Sequence, residues 1–138
     1  RSKILLDRIY RMLNKKIKNK KITFLGVTFK ANTDDMRDSS SLKMIPWLSK
    51  RGAIIKYFDP TGYKSEFSKI KNVTNITSIK NAVQGSDLVI LHTEWNDFKS
   101  INFKTLAKGK KFIIFDMRNL YSSSKINGLG FKYYSIGK

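Results

Sequence analysis

Five short apolar runs recur along the chain, separated by stretches with helical spacing. They are Lys21–Gly26, Ala53–Phe58, Asp87–His92, Lys111–Phe115 and Phe131–Tyr134. The apolar centres of these runs are short, which suits strands buried on both faces. Strands that alternate with helices predict an α/β fold. The economical form is a Rossmann-like, open, mostly parallel sheet with helices on both faces and right-handed crossovers.

The helical stretches have their own signals. Ile4, Leu5, Ile9, Met12, Leu13 and Ile17 fall at helical spacing and predict an amphipathic N-terminal helix over 4–17. Ser39 to Ser41 can cap a helix from Leu42 to Arg51, with Pro46 in its first turns and Gly52 at its end. Shorter helices are predicted over 78–84, 96–99, 102–108 and 122–127. Residues 61–75 carry no clear period and read as a helical turn and an irregular crossing.

A length of 138 residues suits one domain and buries enough surface to fold without staples. There is no cysteine, which removes disulfides, thiolate metal sites and cysteine nucleophiles. His92 is the only histidine, so a His-based metal cluster or dyad is not expected. No apolar run approaches the roughly 18 residues of a membrane span. No signal peptide is visible, and a cytoplasmic location is the default. The chain starts at Arg1 without a methionine, and a piece of a longer protein is expected.

The formal net charge of +18 makes a nucleic acid or an anionic membrane a conceivable partner. Against that, 22 of the 28 cations are lysines scattered over most of the chain. That pattern favours a solvated basic surface over a nucleic-acid interface. The one dense cluster, Lys15 to Lys21, is expected to end a helix, where cations are favoured.

In such a sheet, ligands bind at the carboxyl ends of the strands. The first end offers Thr28, Lys30 and Arg37, the second Asp59, the third His92 to Trp95, and the fourth Asp116, Arg118 and Asn119. Guanidinium and ammonium groups gathered at one edge suit a phosphate or diphosphate. After the first strand Gly26 stands alone. The dinucleotide fingerprint is absent, as is a P-loop, so a site completed by another domain is expected. Asp34 and Asp35 fit either a turn that neutralises Lys30 and Arg37 or a ligand role. Glu94 and Asp116 form only a weak acid/base candidate, because nothing fixes their separation. His92 is expected to be packed and hydrogen-bonded, Trp95 to pack the sheet edge, and Phe103, Tyr133 and Tyr134 to lie in the core.

Three blocks carry a family resemblance: Leu25 to Ser39, Thr93-Glu94-Trp95-Asn96-Asp97-Phe98, and Phe115 to Tyr121. In that order they resemble the C-terminal domain of the UDP-glucose/GDP-mannose dehydrogenase family, over about residues 20–138. The Thr-Glu-Trp block is most similar to the UDP-glucose branch. The resemblance implies that Phe29 and Lys30 contact the UDP-sugar, that Arg118 lies on the nucleotide-sugar side, and that Arg37 reaches NAD. It implies that 1–19 is the end of a central connecting helix, that 20–138 is the UDP-sugar-binding domain, and that the whole enzyme is a homodimer. It further implies oxidation of UDP-glucose to UDP-glucuronate by two hydride transfers to NAD. The catalytic cysteine and the NAD fingerprint would lie upstream, so no catalytic and no metal-binding residue is expected here. Other UDP-sugars, a basic nucleic-acid-binding module and a non-catalytic regulatory domain are the competing readings.

Overall fold

A computed structural model describes residues 2–136. Its elements, in order, are α1 (Ser2–Met12), β1 (Lys21–Leu25), α2 (Ser41–Lys50), β2 (Ile54–Phe58), β3 (Val73–Asn75), α3 (Ile79–Val83), β4 (Leu88–Leu91), α4 (Phe103–Ala107), β5 (Ile113–Asp116), α5 (Ser123–Gly128) and β6 (Tyr133–Ser135). Single 3₁₀ turns add Ser65–Phe67 and Asn96–Phe98. The six strands form one sheet in the order β3-β2-β1-β4-β5-β6, and every pairing is parallel.

Side-chain alternation splits the core in two. Ile22 and Phe24 of β1, Leu88 and Ile90 of β4, and Phe115 of β5 face α1 and α2. Leu25, Val89, Leu91 and Ile114 face α3, α4 and α5. Topology explains the division. The strand order runs one way from β1 to β3 and the other way from β4 to β6. Right-handed crossovers therefore place α2 on one face and α4 and α5 on the other. The first face under β4–β6 would be bare, and α1 covers it. Arg8 lays its guanidinium 5.1 Å from the Phe115 ring centroid and donates to the Ser135 carbonyl at 3.1 Å. Leu5, Leu6, Ile9 and Met12 are buried there, each contributing about 2 kcal/mol.

Several local expectations are corrected. The first helix stops at Met12, not Ile17, because Asn14 and Lys15 take φ values of 54° and 63° that reverse the chain. Ile17 is still buried, delivered by a turn. Residues 61–75 contain a strand that periodicity did not reveal. β3 is three residues long, half-exposed, and held only by β2 at the sheet edge. Pro46 is the sixth residue of α2, beyond the first turn, so the Leu42 carbonyl loses its helical donor. Tyr134 is exposed at the surface, since β6 is an edge strand and that side chain points outward. Trp95 and Phe103 are buried as expected. No helix among the described residues is long and apolar enough to cross a membrane.

Candidate functional site

The strand order reverses between β1 and β4, and the crevice beyond their carboxyl ends is where such sheets bind ligands. A cleft of roughly 530 Å³ opens there, lined among others by Phe29, Asp38, Ser40, Lys43, His92 and Arg118. It exists because the two strand ends touch. Gly26 has φ 80°, and a Cβ placed on it would sit 2.5 Å from Thr93 Cβ. Only glycine lets β1 turn so close to β4.

The loop that follows is tied down at almost every residue. Val27 N–H donates to Asp59 Oδ2 at 2.8 Å, and the Val27 carbonyl accepts from Ser39 Oγ and Ser41 Oγ at 2.5 and 2.6 Å. The Thr28 carbonyl accepts from Thr93 Oγ1 at 3.0 Å. Ser40, the residue before α2, makes no side-chain capping bond, and only Ser39 Oγ accepts from a helix-start N–H, that of Ser41 at 3.3 Å. The Ser39 and Ser41 hydroxyls reach back to Val27, just past β1, and the Ser40 hydroxyl turns to His92.

Two carboxylates at strand ends are structural. Asp59 spends Oδ1 on the Thr61 N–H and hydroxyl and Oδ2 on Val27. Asp116 accepts from Arg118 N–H, from Tyr121 N–H and from the Tyr133 hydroxyl at 2.6 Å. Burial, and then the bond to Asp116, pushes the Tyr133 phenol upward. Glu94 is exposed while Asp116 is buried and saturated, so the pair has no acid/base geometry.

Arg118 rivets three segments. Its Nε donates to the His92 carbonyl at 2.9 Å and its Nη2 to the Phe29 carbonyl at 3.3 Å. The guanidinium is thereby oriented at the cleft beside the exposed Phe29 ring. Lys30 and Arg37 are not among the cleft-lining side chains. Arg37 forms a two-point pair with Asp35, Nε to Oδ1 at 3.0 Å and Nη2 to Oδ2 at 2.9 Å. Hydrogen bonding by Arg37 holds the Asp35 carboxyl down at about 2. Asp35 therefore serves the turn and neutralises Arg37, and Asp34 is exposed beside it.

Sequence reasoning missed Ser40, Asp38 and Lys43 as cleft residues. The serine run has the pattern of a helix cap, and nothing local distinguishes a capping hydroxyl from one aimed across to β4. His92 is buried and hydrogen-bonded, as expected, but it also reaches the cleft wall. Thr93 Oγ1 has one proton, which goes to the Thr28 carbonyl. His92 Nδ1, 3.0 Å from the same oxygen, must then be the donor. Nε2 is left as the acceptor from Ser40 Oγ at 2.8 Å. Burial first, and the Arg118 charge second, drives the His92 pKa down to about 3. The imidazole is neutral at pH 7, and Ser40, its proton committed to His92, offers lone pairs to a ligand. Among the described residues no group of three or more His, Asp or Glu side chains is placed to hold a metal ion.

The parallel sheet in this order, with a cleft at its switch point that sets Lys43 and Arg118 beside Asp38, defines a Rossmann-like domain. The chain belongs to the UDP-glucose/GDP-mannose dehydrogenase family, whose UDP binding domain matches residues 23–123. It is 33% identical to a UDP-glucose 6-dehydrogenase of Rickettsia bellii, over 99% of this chain and 32% of that protein. Among solved structures it resembles a UDP-D-ManNAc dehydrogenase from Pyrococcus horikoshii, with TM-score 0.74 and 27% identity, over 99% of this chain and 30% of the other. An NDP-N-acetyl-D-galactosaminuronic acid dehydrogenase from Methanosarcina mazei shares the fold, with TM-score 0.80 at 23% identity, over 99% of this chain and 28% of the other. The chain thus spans about a third of the length of the curated relative it matches.

Proposed function

We propose that this chain is the nucleotide-sugar half of an NAD-dependent UDP-glucose 6-dehydrogenase. The observation that carries the reading is the convergence of an exposed aromatic ring, Phe29, and a fixed guanidinium, Arg118, at the switch point. A diphosphate fits a fork of that kind, and a nucleobase or sugar fits a ring at its mouth. Lys30, one residue beyond Phe29 on the tethered loop, adds a cation beside the sugar and diphosphate. Ser40, as an acceptor, suits a ligand hydroxyl.

In this reading the segment 1–19 carries the end of a connecting helix, α1, with the turn that follows it, and 20–138 is the UDP-sugar domain. The rest of the enzyme supplies the nucleophilic cysteine, since this chain has none, so the chain by itself turns nothing over. NAD is held mainly by that other part. The residues here fit one contact to it. With Nε and one N–H of Nη2 on Asp35, Arg37 keeps two N–H groups on Nη1 and one on Nη2 for an NAD phosphate. NAD supplies the hydride acceptor, and this chain orients UDP-glucose toward it, a positioning contribution. The complete enzyme is a cytoplasmic homodimer that yields UDP-glucuronate.

Calorimetry with UDP tests the reading. The chain alone binds UDP weakly, because half of the site belongs elsewhere. Arg118→Ala or Lys30→Ala removes a charge-assisted contact of about 1.5–3 kcal/mol, a loss of roughly 10- to 100-fold. Sub-micromolar binding that neither substitution weakens would contradict the proposal.

A further inference from the structure

The fold sorts charge that the sequence scatters. The turns that enter the strands hold thirteen of the lysines and arginines, in 15–21, 50–51, 69–71, 108–111 and at 132. A single acid, Asp87, stands among them, already bound by Lys110 Nζ at 3.2 Å. Seven of the ten acids lie at the opposite edge, in the loops where the strands end and the cleft opens.

The cationic turns form one continuous edge. Asn19 N–H donates to the Gly52 carbonyl at 2.8 Å and Ser49 Oγ to the Lys71 carbonyl at 2.6 Å. Lys110 Nζ reaches the Gly85 carbonyl at 3.0 Å, and Lys111 Nζ the Leu129 carbonyl at 2.9 Å. Helix C-termini account for only part of the charge. All five helices precede a strand, so their negative ends point to this edge. At about half a charge each they offset about 2.5 cations. With Asp87, about nine positive charges remain, far from the nucleotide cleft and unused by it.

We propose that this edge binds a linear phosphodiester polyanion, a nucleic acid held through its backbone without base reading. Six strands about 4.8 Å apart make an edge of roughly 24 Å, which spans about seven phosphates of one duplex strand at 3.4 Å each. Of the large exposed apolar side chains among the described residues, Ile54 stands on this edge and Tyr10 borders it from the last turn of α1. Among the described residues one isolated ring makes no row of aromatics for unstacked bases, and one isoleucine makes no apolar wedge for a bilayer. Those absences favour the duplex backbone over single strands and over a lipid surface.

Fluorescence anisotropy of the 138-residue chain with a labelled 20-base-pair duplex, between 50 and 200 mM salt, tests this. The expected result is retention at about 100 mM and a log–log salt slope near −6, for about seven phosphates. Replacing Lys16, Lys69 and Lys132 by Glu should lower affinity at least tenfold and flatten the slope by about 3. Replacing Lys80, Lys99 and Lys104 by Glu makes the same change in net charge away from the edge, and should leave binding within about threefold. Glutamine versions of the edge variant, with matching thermal unfolding, separate lost contact from lost folding. Absence of binding at 100 mM, equal weakening by both triple variants, or tighter binding to phosphatidylserine vesicles than to duplex would each overturn the proposal. None of these outcomes touches UDP binding, which is read separately.

Discussion

His92 is the only histidine, so acid stability between pH 7.5 and 5 isolates one group. Its folded pKa, pushed down to about 3 by burial, lies well below its unfolded value of 6.5. As pH falls through 6.5 the unfolded chain takes up a proton that the folded chain refuses. The unfolded state then binds more protons, and stability drops with falling pH, by up to about 1.4 kcal/mol per unit, until the folded group titrates near 3. Integrated from pH 7.5 to pH 5, the loss is about 2 kcal/mol. Asp35 and Asp87 do not contribute in that window, since both are held low in the folded chain and take up their protons near pH 4 when unfolded. Urea unfolding of wild type and His92→Gln at several pH values measures it. The variant is less stable overall, having lost the Ser40 and Thr93 bonds, but its stability should be flat over the same interval. The His92 Hε1 resonance of the folded chain should hold one shift from pH 7.5 to 5. A wild-type profile that is flat there, or a variant with the same slope, would refute the buried neutral imidazole and the proton assignment derived from it.

Two further substitutions probe the loop that shapes the cleft. Gly26→Ala forces φ 80° on an L-residue and drives its Cβ to 2.5 Å from Thr93; a loss of about 3 kcal/mol is expected in denaturant unfolding, and a loss under 1 kcal/mol would show that the strand ends can part freely. Asp59→Ala strands the buried Val27 N–H, so the melting temperature should fall by roughly 6–12 °C for about 2–3 kcal/mol. An unchanged melting temperature would mean that the loop finds another partner.

Much of the fold was legible because β1, β2, β4, β5 and β6 each carry a local apolar run with a polar stop. β3 was not legible. Val73-Thr74-Asn75 has no strand pattern of its own and pairs only because β2 presents a free edge. In the same way α1 reads as an amphipathic helix, but that it closes the bare face under β4–β6 follows from crossover handedness. At the site, Arg118 stands just past the end of a recognisable strand and is visible from position, whereas Phe29 is named only by the family resemblance. The roles of Ser40 and His92 are not visible, since a contact between residues 52 apart leaves no local trace.

The sequence by itself determined the class of fold, the family and the cations available for an anionic ligand, because periodicity, strand stops and motif order are local properties. Tertiary structure decided how those residues are used. It committed Asp59 and Asp116 to backbone, neutralised His92 by burial, and paired Arg37 with Asp35. It also gathered lysines spread over the chain onto one edge and most acids onto the other. The physical reason is that parallel strands in one sheet align all entering turns on one side and all leaving loops on the opposite side. Charge then segregates by position along the βα unit, a variable that composition does not contain.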